Sequence, residues 1–146
     1  MTVHLVKMAV GVESVAHLTE RQTLRRREAG TGHRLGELRI MTRHGPRRGD
    51  ELLDGGSIFW VIKRFIRVRQ RILGLDHDAV RDDGRPACSL ILDPELERTE
   101  LQASRAFQGW RYLSEAMTPA DATFDATQFD DVPDEMVAEL RALGLL

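Results

Sequence analysis

The sequence predicts an α+β fold: a strongly curved, mostly antiparallel sheet or a small β-barrel, with a helix flanking it at each end. Three observations carry this. From Ile66 onward the chain alternates, with Ile66, Val68 and Ile72 on one side and Arg67, Arg69 and Arg71 on the other. A period of two marks a half-buried strand. Strand patterns then follow one another through the middle of the chain without alternating with helices, and a helical pattern precedes and follows them.

The elements follow in order. Thr2 to Val10 reads as a strand, with Val3, Leu5 and Lys7 set against His4, Val6 and Met8. Gly11 ends it. Ser14 precedes a helical stripe of Val15, Leu18, Gln22 and Leu24. That helix closes in Arg25, Arg26, Arg27 and Glu28, basic residues suited to a helix C-terminus, and Ala29 to Gly32 makes the turn. Leu35, Leu38, Ile40 and Met41, with Arg34, Arg39 and Arg43, form a second strand region. His44 to Gly49 is a loop, Asp50 to Asp54 one helical turn, and Gly55–Gly56 its stop.

One long strand region is then expected from Ile58 to about Asp76. Its first part, Ile58 to Ile62, is apolar on both faces and so central in the sheet. Arg81 to Arg85 is a hairpin turn, Ala87 to Leu92 the returning strand, and Asp93–Pro94 its end. Leu96 to Ala103 is a more exposed strand. An aromatic stretch, Phe107 to Leu113, opens with the turn-like pair Gln108–Gly109. The remainder is acidic and loop-like, until Asp131 caps a last helix from Val132 to about Leu143.

The chain has 146 residues, the size of one domain, with an acidic, partly loop-like C-terminal segment at 114–146. Hydrophobic content of 42% and charged content of 30% fit a soluble globule. The single cysteine, Cys88, excludes an internal disulfide, lies in an apolar run, and is expected as a buried core thiol. No apolar run approaches a membrane span and the opening stretch lacks the pattern of a signal peptide. A cytoplasmic protein without a membrane partner is the expectation. The net charge of −2 is unevenly spread: residues 34–71 hold ten Lys or Arg against four Asp or Glu, and residues 113–146 hold one Arg against eight acidic residues. Either a basic face binds an anion, or the tail neutralises that face.

No cofactor or metal motif is present. The five histidines and Cys88 show no ligand spacing. There is no phosphate-cradling glycine loop and no Gly-x-Ser-x-Gly elbow. The carboxylate pairs Asp76 with Asp78 and Asp82 with Asp83 read as solvated turn residues, and no catalytic residue is assigned. The basic set carries more. Arg43, Arg47 and Arg48 lie with His44 in a loop, where phosphate contacts form readily, and Arg67, Arg69 and Arg71 share a strand. Trp110, Arg111 and Tyr112 place aromatics beside a cation, as base stacking requires, and Trp60 can face either way. Phe59, Phe65 and Phe107 read as core.

Several blocks resemble a family of small bacterial proteins, mainly alphaproteobacterial, filed as domain of unknown function 1489: Val3–Gly11, Glu51–Lys63, Arg69–Leu73, Leu92–Leu96 and Phe107–Leu113. The chain departs from the family pattern at Phe59, where tyrosine is expected, and at Arg64, where glycine is expected. The family has no assigned activity, so no catalytic residue carries over. The strand order also resembles, distantly, the PUA-like folds that include the ASCH and EVE domains. That resemblance implies a small curved barrel with flanking helices, and many such domains bind RNA or modified nucleotides.

The leading expectation is a non-catalytic module binding RNA or another nucleic acid or nucleotide. Arg43, Arg47, Arg48, Lys63, Arg67, Arg69, Arg71 and Arg111 supply cations, and Trp110 and Tyr112 stack. The alternatives are a protein-interaction module docking through the acidic C-terminal helix, and a small enzyme on a nucleotide-like anion using Lys63 or Asp54.

Overall fold

The computed structural model describes residues 2–27, 37–81, 83–105 and 107–122. The elements in these residues are β1 (Val3–Met8), α1 (Val15–Arg27), β2 (Leu38–Thr42), α2 (Gly49–Leu53), β3 (Ser57–Ile62), β4 (Phe65–Val80), β5 (Pro86–Leu92), β6 (Glu97–Ala103) and β7 (Trp110–Ser114). A short 3-10 turn over Glu115–Met117 follows β7. The C-terminal helix expected from Val132 and its cap Asp131 fall outside the described residues.

The seven strands form one mixed sheet in the order β2-β5-β4-β3-β1-β7, with β6 also paired to β4. β1 and β3 run parallel, and the other pairings are antiparallel. The parallel pair needs a crossover, which α1, β2 and α2 supply. β4 is sixteen residues long and changes partners along its length. Its first part lies between β3 and β6, and its last part pairs with β5. Register shifts interrupt all three pairings, and such bulges bend a strand. The sheet is therefore curved. It is also open: among the described residues no pairing joins β7 to β2 or to β6, so these strands do not close into the expected small barrel.

The single strand expected from Ile58 to Asp76 is two strands. Lys63 (φ 49°) and Arg64 (φ 73°) form a two-residue left-handed turn between β3 and β4. Neither residue type announces such a turn, which favours Asn and Gly. The aromatic stretch likewise yields a strand, β7, antiparallel to β1 along the sheet edge.

Two apolar clusters occupy opposite faces of the sheet. The larger takes Val3 and Leu5 from β1, Ile58, Trp60 and Ile62 from β3, and Val68 and Ile72 from β4, and is covered by Val15 and Leu18 of α1 and Leu52 of α2. The smaller takes the alternate residues Val6, Phe59 and Val61 with Ile66. Ser14 caps α1, its hydroxyl accepting the His17 backbone N–H at 3.0 Å. One polar network is sealed in the larger core. Gln70, 0% exposed, exchanges two hydrogen bonds with Gln22 of α1, at 2.8 and 2.9 Å. It also accepts the Trp60 indole N–H at 2.8 Å and donates to the Asp93 carbonyl. Full satisfaction is what lets an amide sit there.

Candidate functional site

The basic strand is not the open ledge its alternation suggests. On β3, Trp60 pairs with Val68 and Val61 with Ile66, so Arg67 is an extra, bulged residue that matches no register position on β3. The bulge reverses the phase of the strand. Ile66 belongs to the smaller cluster while Val68 and Ile72 belong to the larger one, which corrects the reading that all three share a face. Arg67 is only 8% exposed. Its Nε donates to the Ile62 carbonyl at 2.8 Å and its guanidinium lies over the Phe65 ring, so it braces the β3–β4 turn. Arg69 forms a two-pronged pair with Asp121, at 2.7 and 2.8 Å. Arg71 alone of the three is exposed.

The loop residues come together differently. His44 to Arg48 leans on β7 and is held at several points. The His44 carbonyl accepts the Trp110 indole N–H at 2.7 Å and the Thr42 hydroxyl at 3.0 Å. The Tyr112 hydroxyl accepts the backbone N–H groups of Arg47 and Arg48, at 2.8 and 3.1 Å. Trp110 and Tyr112 meet edge to face, and the Arg48 guanidinium stands over the Tyr112 ring while bonding Glu51. Arg43 and Arg47 are exposed and have no carboxylate partner among the described residues.

The remaining expected residues lie apart. Lys63 pairs with Glu13 at 3.1 Å in the β3–β4 turn. Asp54 precedes β3 and Lys63 follows it, so the two expected for an enzyme sit beyond opposite ends of one strand. Trp60 is buried in the core network. The Arg111 guanidinium covers Phe107, which packs on the smaller cluster. Trp110 packs on the larger cluster, and Tyr112 follows it on the same side. The sheet thus separates Arg69, Arg71 and Arg111 from Arg48, Trp110 and Tyr112, and Arg43 and Arg47 belong to the loop held by the latter pair.

A polar hollow of about 400 Å³ lies on the smaller-cluster face, lined among others by His4, Ser57, Arg69, Glu115 and Asp121. Sequence reasoning found none of this constellation except Arg69, because its members are far apart in the chain. His4 is buried, and its Nδ1 accepts the Ser57 backbone N–H at 3.0 Å. The neutral ring therefore carries its proton on Nε2, which donates to Glu115 at 2.6 Å. No imidazole lone pair is left to take a proton from a substrate. The Arg69 guanidinium holds the Asp121 carboxyl below its usual 3.8. These groups satisfy one another and clamp the chain after β7 onto the sheet. Among the described residues no group of three His, Cys, Asp or Glu could hold a metal ion, and no helix is long and apolar enough to cross a membrane.

The family model described as "Protein of unknown function (DUF1489)" matches residues 5–146. No curated protein and no solved structure matches the chain.

Proposed function

This chain belongs to the DUF1489 family of proteins of unknown function, and on that premise we propose that it is a non-catalytic binding module for RNA or another nucleic acid. The contact surface is the loop from Arg43 to Arg48. One observation carries the reading: Arg43 and Arg47 project from a loop whose backbone is fixed by Trp110 and Tyr112, and neither is neutralised among the described residues. A backbone held in place before binding loses less freedom when it meets a phosphate chain. Arginine suits phosphate oxygens through its planar donors. The Tyr112 ring, 36% exposed, offers its remaining surface at the edge of the same loop.

The test is titration of a labelled single-stranded RNA with the wild type and with an Arg43→Gln/Arg47→Gln double variant. Binding at low salt that weakens in the variant supports the reading. Absence of binding by the folded wild type at low salt rejects it.

A further inference from the structure

Lys7 places a charge where β1 otherwise buries Val3 and Leu5. Its register partners on the two neighbouring strands are Trp60 and Trp110. The side chain is half-buried, and among the described residues no carboxylate pairs with it. Burial pulls the ammonium below the usual lysine value. α1 crosses the sheet at this point. Leu18 and Gln22 are buried against the sheet, and Arg21 and Arg25 lie three to four residues along the same side of the helix. The Arg21 Nη1 donates to the Val10 carbonyl at 2.9 Å. Gly11 (φ 77°) lies so close that a Cβ there would stand 3.3 Å from that nitrogen. The β1–α1 connection therefore wraps the guanidinium and fixes it.

These groups enclose a cleft of about 230 Å³, with Leu18, Ile40 and Trp60 among its apolar walls. Among the described residues twelve line it, three of them cations, and none of these is Asp or Glu. Three positive groups around one partly desolvated space favour an anion of more than single charge. The apolar wall favours a ligand with a body that water would rather release.

We propose that this cleft binds a phosphate monoester carrying an apolar or aromatic body. Such an ester holds close to two negative charges at neutral pH and three acceptor oxygens. Lys7 and Arg25 reach the phosphate from the sheet and the helix, Arg21 closes the ring of charge, and the body rests on Leu18, Ile40 and Trp60. The site shares no residue with the Arg43–Arg48 loop and does not rest on its role.

The experiment is calorimetric titration of the full chain with adenosine monophosphate and with hexyl phosphate, beside adenosine and inorganic phosphate. Saturable binding of at least one ester, tighter than either inorganic phosphate or adenosine, is expected. Lys7→Met and Arg25→Gln should each weaken it by about tenfold or more, while Arg81→Gln in the β4–β5 turn leaves it unchanged. Preference for one ester identifies the body as aromatic or alkyl. Circular dichroism checks the fold of each variant, and Arg25, being exposed, carries the test should Lys7→Met fail to fold. The proposal is overturned where neither ester binds more tightly than inorganic phosphate, or where Arg25→Gln binds as the wild type does.

Discussion

Arg69 grips Asp121 across fifty-two residues of chain, Nε to Oδ1 at 2.7 Å and Nη2 to Oδ2 at 2.8 Å. The pair fastens the segment after β7 beside β6, where Thr99 and Asp121 form an isolated bridge and two backbone bonds flank it, Glu100 N–H to the Ala120 carbonyl and Ala122 N–H to the Arg98 carbonyl. Asp121→Asn removes the charge and should speed hydrogen exchange at Glu100 and Ala122 while the β3–β4 amides keep their protection. The same contact gives a pH dependence. The folded carboxyl titrates below its usual 3.8, so its stabilisation is complete above that value and is lost as pH falls through the depressed one. Unchanged exchange at both amides in Asp121→Asn would show that the pair holds nothing in place.

Arg64 sits at φ 73° with an exposed side chain. A side chain in the left-handed region costs about 1 kcal/mol relative to glycine. Arg64→Gly should therefore raise the unfolding free energy by about that much, read as a higher denaturant midpoint at unchanged slope, and Arg64→Val should lower both. A glycine variant no more stable than the wild type contradicts the strained turn.

Gln70 is the buried hub for Gln22 and Trp60. Gln70→Leu strands the indole N–H and the Gln22 amide in an apolar core and should cost about 2 kcal/mol or more. Adding Gln22→Leu and Trp60→Phe removes the stranded groups and should recover most of that loss. A triple variant as unstable as the single one would place the cost in packing instead.

Cys88 is buried, and burial raises its thiol above its ordinary value. An alkylating reagent near neutral pH should modify it only as fast as the protein unfolds. Rapid stoichiometric labelling of the native protein would contradict this.

What the sequence disclosed, and what it hid, follows from range. The cap at Ser14, the helix after it, the helical turn before Gly55, the Arg81–Arg85 turn and the buried Cys88 are local patterns, and all were legible. The bulge at Arg67 was not, because an extra residue in a strand leaves the alternation of its letters intact while turning the side chains over. The turn at Lys63–Arg64 was hidden by residues that do not favour it. Trp110 and Tyr112 were singled out for base stacking; the fold sets them beside Arg47 and Arg48, where their observed bonds brace the loop backbone. Lys7, Arg21 and Arg25 carried no motif. Only the packing of α1 against the sheet brings them to one cleft.

The most direct measurement is the salt dependence of single-stranded RNA affinity for the wild type and for Arg43→Gln/Arg47→Gln, between about 50 and 200 mM salt. Each lost phosphate contact should flatten the slope of log K against log salt by about 0.7, so the double variant should be shallower by about 1.4. Equal slopes and affinities in the two proteins, or a wild type that binds no RNA at the lower salt, would contradict a nucleic-acid role for the loop.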